Sequence, residues 1–120
     1  FEAQESELLT GLGVRIIQMS EINAKGLVAT LHEAVEIASC APGGWGISID
    51  LDVLDPLDAP GVGSPVAHGL EPKALIKVMA GIAKTPGFLG AEMSEYNPEL
   101  DPEGITGRVA DALVVSMFSN

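Results

Sequence analysis

Cysteine is nearly absent from this chain: Cys40 stands alone among 120 residues. No internal disulfide can form and a paired-cysteine motif is excluded, so a cytoplasmic location is expected. Basic residues are almost as scarce, 6 Lys and Arg against 17 Asp and Glu, for a net charge of -11. That balance argues against a nucleic-acid backbone or an anionic membrane as partner. It suits a metal ion or a cationic substrate, and equally a plain acidic surface. No apolar run approaches the ~20 residues of a membrane span, and no basic stretch leads an apolar one as in a secretion signal. Internal repeats and low-complexity tracts are missing too. Aromatic residues make up only 4% of the chain.

What is present is enough to fold. Hydrophobic residues reach 47% and the mean hydropathy is +0.32, well above a disordered chain. The length allows one domain. Residues 1–10 carry a weak helical pattern on Leu8 and Leu9. Val14, Ile16, Ile17 and Met19 form a β-favouring run behind Gly11 and Gly13, which predicts a strand over 14–19. Ser20 and Asn23 offer caps for a helix over about 24–39, with Leu27, Val28, Leu31, Val35 and Ala38 at helical spacing. A second strand is expected around Ile47, Ile49 and Leu51. A helix over about 71–84 has Pro72 in its first turn, a third strand covers 88–93, and a last helix covers 105–118.

Three alternating strand and helix units imply parallel strands and an α/β sheet with helices on both faces. Ligands of such sheets bind beyond the carboxyl ends of the strands, where Asp50, Asp52 and Glu95 all fall. Three strands make a thin sheet with two open edges, so the piece is expected to be incomplete.

The stretch from Gly46 to Pro56 concentrates the chemistry. Alternation puts Ile47, Ile49 and Leu51 on one face and Ser48, Asp50 and Asp52 on the other. Two carboxylates two residues apart lie ~7 Å apart at Cα by strand rise. Anions that close are costly unless a cation or proton lies between them. This is a metal-site hypothesis. A calcium loop does not fit, because Leu54 occupies the next ligand position and the glycine and distal glutamate do not follow. A nucleophilic-aspartate phosphatase of the haloacid-dehalogenase type is the rival enzyme class, but Leu54 again departs from its pattern. His32 adjoins an apolar stripe and reads as a packing or surface histidine.

A third pattern runs much further. The residues Ser48-Ile49-Asp50-Leu51-Asp52-Val53-Leu54-Asp55-Pro56, then Ala59-Pro60-Gly61-Val62-Gly63-Ser64-Pro65 and Gly69-Leu70, resemble the ureohydrolase family of arginases, agmatinases and formiminoglutamases. The segment Glu92-Met93-Ser94-Glu95-Tyr96-Asn97-Pro98, with Asp101, is similar to that family's Glu-Val-Asn-Pro segment. The resemblance covers nearly the whole chain. The wording of residues 58–63 is closest to bacterial arginases.

The resemblance implies an arginase-like fold, a three-layer αβα with a parallel sheet, of which residues 1–120 supply the C-terminal βα units of a single domain. It implies two Mn²⁺ ions, with Asp50 and Asp52 as metal ligands and Glu95 as the partner of the substrate's guanidinium. The reaction it implies is hydrolysis of arginine to ornithine and urea by a metal-bridging hydroxide, in a homo-oligomeric enzyme. Asp55 reads as a turn brace, and no further catalytic residue is assigned.

Departures from the family are equally informative. The lone His and the Asp-x-His-x-Asp run that complete the family's metal shell are not in this chain. His68 stands where relatives have the first Gly of Gly-Gly-Leu, and matches no ligand position. Two expectations follow. The segment supplies part of an enzyme site and is inactive alone, or it is a catalytically silent α/β domain that self-associates through an open sheet edge.

Overall fold

The computed structural model describes residues 2–119. They fall into two compact units, one ending at residue 37 and the other beginning at residue 38.

The first unit holds helices α1 (Ala3–Gly11), α2 (Met19–Lys25) and most of α3 (Leu27–Ala38). The strand expected over 14–19 is not formed. Residues 14–18 take no regular structure and pair with no strand among the described residues, and α2 begins at Met19. A strand is stable only where its backbone groups find a ladder, and local β-preference does not supply one. The helix start differs for a related reason. Gln18, not Ser20 or Asn23, caps α2, in a reciprocal capping box with Glu21. Gly26, at φ 90°, then separates α2 from α3, so the helix expected over about 24–39 is broken near its start and α3 runs from Leu27.

Charge organises this unit. Arg15 bonds Glu21 at 2.6 Å and Glu33 at 2.9 Å, and Lys25 lies 3.6 Å and 3.8 Å from the same two acids. Hydrogen bonding from Arg15 holds the Glu21 carboxyl down to about 2. A folded value below the ordinary ~4.3 means this pairing contributes above that pH and is lost as pH falls towards 2.

The second unit is the α/β part. Strands β1 (Trp45–Asp50) and β2 (Phe88–Ser94) pair in parallel, with Ile47 opposite Ala91, Ile49 opposite Met93 and Asp50 opposite Ser94. A bulge between Trp45 and Gly46 starts the pairing, and two strands, not three, make the sheet described. Between them lie a long loop and α4 (Pro72–Ile82), and α5 (Ile105–Phe118) follows β2. Leu75, Val78, Met79 and Ile82 of α4 and Leu113 and Met117 of α5 are buried with Ile49, Leu51 and Leu54. Trp45 and Phe88 close one end, edge to face at 5.4 Å, with Phe118 5.9 Å from Phe88. Among the described residues no helix is long and apolar enough to cross a membrane.

Candidate active site

Alternation along β1 is as expected up to Asp50: Ile47 and Ile49 face inward while Ser48 and Asp50 are exposed. It stops there. Residues Leu51–Val53 form a short 3-10 turn, so Asp52 leaves the strand instead of continuing its face. The Asp50 carboxylate caps that turn by accepting the Asp52 amide at 3.4 Å. The two aspartates are therefore neighbours through a turn, and the strand spacing does not apply to them. Leu51 anchors the turn in the core, 1% exposed.

Residues 55–70 form a loop whose ends meet. Leu54 and Leu70 make a parallel bridge, closed by Leu70 N donating to Val53 O at 2.8 Å and Asp55 N donating to Leu70 O at 3.1 Å. Gly69 permits this, since a Cβ there would sit 2.6 Å from the carbonyl oxygen of Val53. Inside the loop the Asp55 carboxylate accepts the Leu57 amide at 3.0 Å, and its carbonyl accepts from Asp58 and Ala59. Asp55 braces the turn.

Glu95 follows β2 directly, beside the strand end that pairs with Asp50. Its backbone is left-handed, φ 64°, which is rare for a non-glycine residue and costs about 1–2 kcal/mol. Its exposed carboxylate has no hydrogen-bond or ion-pair partner among the described residues. Such strain persists where the surroundings over-determine it, and it clusters at functional sites.

Electrostatics tie the acids together. Burial pushes the Asp52 carboxyl above its ordinary value, and the charges of Asp50 and Glu95 and a hydrogen bond with Asp50 act in the same direction. A carboxyl hard to ionise among other anions is one that a cation would stabilise. The donors are hard oxygens, which suit Mg²⁺, Ca²⁺ or Mn²⁺, so Asp50 and Asp52 fit a divalent cation in chemistry. They do not complete a shell. Among the described residues no group of three or more His, Cys, Asp or Glu side chains is arranged to hold a metal ion. His32 and His68 are both exposed.

Several contacts escaped the sequence reading. Ser48 Oγ donates to Glu92 Oε1 across the strand pair at 2.8 Å. Tyr96 Oη donates to Asp101 Oδ2 at 2.9 Å, and that carboxylate also accepts the amides of Thr106 at 3.0 Å and Gly107 at 2.9 Å. Burial works to raise the Asp101 carboxyl, but these three donors outweigh it and hold it below the usual range. The hydrogen bond to Asp101, with burial, raises the Tyr96 phenol. The available signal was an Asp just ahead of a helix start, with Thr106 behind it, in a segment that also reads as a turn. A separate surface cavity of about 700 Å³ between α4 and α5, lined by Glu71, Lys73, Ile76 and Arg108, contains none of the three acids.

Comparison with known proteins follows the same lines. The sequence model of the Arginase family matches residues 1–119. An arginase of Brevibacillus brevis is 39% identical over 116 residues, which is 97% of this chain and 39% of that protein. The solved arginase of Bacillus caldovelox superposes with a TM-score of 0.90 at 34% identity, covering 99% of this chain and 40% of the other. A formiminoglutamase of Trypanosoma cruzi, solved oxidized with Mn2+2 at pH 8.5, superposes at 0.86 with 29% identity, covering 96% and 38%. The chain thus spans about two-fifths of the length of the relatives it matches.

Proposed function

The chain belongs to the arginase family, and we propose accordingly that the protein hydrolyses a guanidino compound, with arginine as substrate and ornithine and urea as products. Agmatine or a formimino compound is the alternative within the family. The observation that carries the reading is the gathering of Asp50, Asp52 and Glu95 at the carboxyl end of the parallel pair, with the Glu95 charge felt at Asp52. A net charge of -11 supports a cationic ligand there.

Asp50 and Asp52 would hold Mn²⁺, the ion with which the trypanosomal relative was solved. Bound divalent cations would supply Lewis-acid activation of the attacking water. Glu95 would pair with the substrate's guanidinium through charge-assisted hydrogen bonds and so aim its carbon at the aspartate edge. Its lack of any other partner supports that role. Two aspartates are part of an ion's shell, so the activity is proposed for the whole protein, as a homo-oligomer, and not for this segment by itself.

The test is Asp52→Ala in the full-length protein. Manganese content by elemental analysis should fall, and urea release from arginine should drop by at least about a hundredfold. Full manganese in a folded variant would sink the assignment. Agmatine and formiminoglutamate assayed beside arginine decide the substrate. The open edges of the described two-stranded sheet favour a second reading, a silent domain that self-associates. That reading requires wild-type protein to release no urea with Mn²⁺ and to sediment as an oligomer.

A further inference from the structure

Glu95 stands on a backbone conformation its own side chain does nothing to hold, so something else must hold it. The residues on either side supply the answer. Tyr96 makes an antiparallel bridge with Val62, and Asn97 N donates to Gly61 O at 2.7 Å, so the Glu95 segment is fastened to the loop at Gly61. Gly61 is fastened in turn: its amide donates to the buried Thr106 Oγ1 at 2.8 Å. The Tyr96 hydroxyl reaches the same helix start by donating to Asp101, which binds the first turn of α5 through the Thr106 and Gly107 amides. Two glycines allow the approach. A Cβ on Gly61 would lie 2.6 Å from Asp101 Cβ, and one on Gly107 would lie 3.0 Å from the Tyr96 hydroxyl.

We propose that Tyr96, Asp101 and Thr106 form a brace between α5 and the Gly61 loop that fixes the backbone at Glu95, which makes them positioning residues for guanidinium binding. The inference rests on the reading of Glu95 given above. None of the three need touch substrate. They act by removing the freedom that would let Glu95 relax to ordinary backbone angles and turn its carboxylate away, and a carboxylate fork is effective only when aimed. Tyr96 matters particularly, because it stands where the family segment has Val and adds a hydrogen bond that Val cannot make.

The test uses the full-length enzyme and four variants. Tyr96→Phe keeps the ring and removes only the hydroxyl. Thr106→Val keeps the shape and removes the acceptor of the Gly61 amide, whereas Thr106→Ser keeps that acceptor. Glu95→Gln is the reference. Tyr96→Phe and Thr106→Val should each raise KM for the guanidino substrate by about three- to tenfold, more than they change kcat, and Thr106→Ser should stay near wild type. A lowered Tm with an unmoved KM in Tyr96→Phe and Thr106→Val would make the three residues merely structural and overturn the brace. If Thr106→Val does not fold, Tyr96→Phe, whose residue is 42% exposed, decides by the same readout. An unmoved KM in Glu95→Gln is a different failure. It removes the reading of Glu95, and the brace with it.

Discussion

His68 and Glu95 are the two non-glycine residues with positive φ among the described residues, and they represent opposite uses of strain. Glu95 holds the proposed guanidinium partner on its strained backbone. His68 is exposed, at φ 61°, with no role that its side chain explains. Glycine there would relieve about 1–2 kcal/mol of left-handed strain, less about 0.5–1 kcal/mol for the greater freedom of an unfolded glycine. His68→Gly should therefore stabilise the protein by up to about 1.5 kcal/mol, read as a rise in the urea midpoint at unchanged slope. A fall in midpoint would mean that His68 makes a contribution outweighing its strain. The sequence carried part of this: His68 was visible as a departure from a Gly-Gly-Leu pattern, and the acids Asp50, Asp52 and Glu95 were visible as strand-end carboxylates. The backbone state of Glu95 was not visible, because it is imposed by partners far along the chain, at Gly61 and Thr106. Nor was the exit of Asp52 into a 3-10 turn, since alternation alone does not say where a strand stops.

At the level of elements, the segments that the sequence placed well are those whose pattern matches burial within the second unit. Residues 105–118 form α5 and residues 72–82 lie inside the helix expected over 71–84, because each buries its own apolar stripe. Residues 14–18 look as β-favouring as β1 but have no neighbour to pair with among the described residues, so the preference goes unused. The loop of residues 55–70 has little regular structure, yet its ends are held at a defined point. Its closure at the Leu54–Leu70 bridge depends on Gly69, whose missing side chain leaves room for the backbone of residues 53–55. That neighbour is backbone and cannot move aside as a flexible side chain would. Gly69→Ala should cost at least about 1–3 kcal/mol. Gly63→Ala, where a Cβ meets nothing within 4 Å, should be close to neutral. Equal unfolding midpoints for the two variants would refute the account of loop closure.

At the scale of the whole molecule, the two units are held by different forces. The second is built on buried aliphatic side chains, with Leu51, Leu54 and Leu113 almost fully enclosed. In the first, Thr30 is the one residue buried among those described, while Leu8, Leu12 and Val28 remain exposed. Helices of 9, 7 and 12 residues are marginal without packing. What specifies the corner of α2 and α3 is the network of Arg15 and Lys25 with Glu21 and Glu33, all of it in contact with solvent. Hydrophobic burial is indifferent to moderate salt, whereas exposed ion pairs are screened once the Debye length falls to about 3 Å near 1 M salt. Amide hydrogen exchange on the 120-residue chain should accordingly be faster in α2 and α3 than in β1 and α5. Raising NaCl to about 1 M should speed exchange in α2 and α3 further and leave β1 and α5 unchanged. Arg15→Ala should reproduce most of the salt effect at low ionic strength, because it removes the nearer of the two cations shared by Glu21 and Glu33. Protection of α2 and α3 that ignored both salt and the substitution would mean that packing, and not charge, holds the first unit.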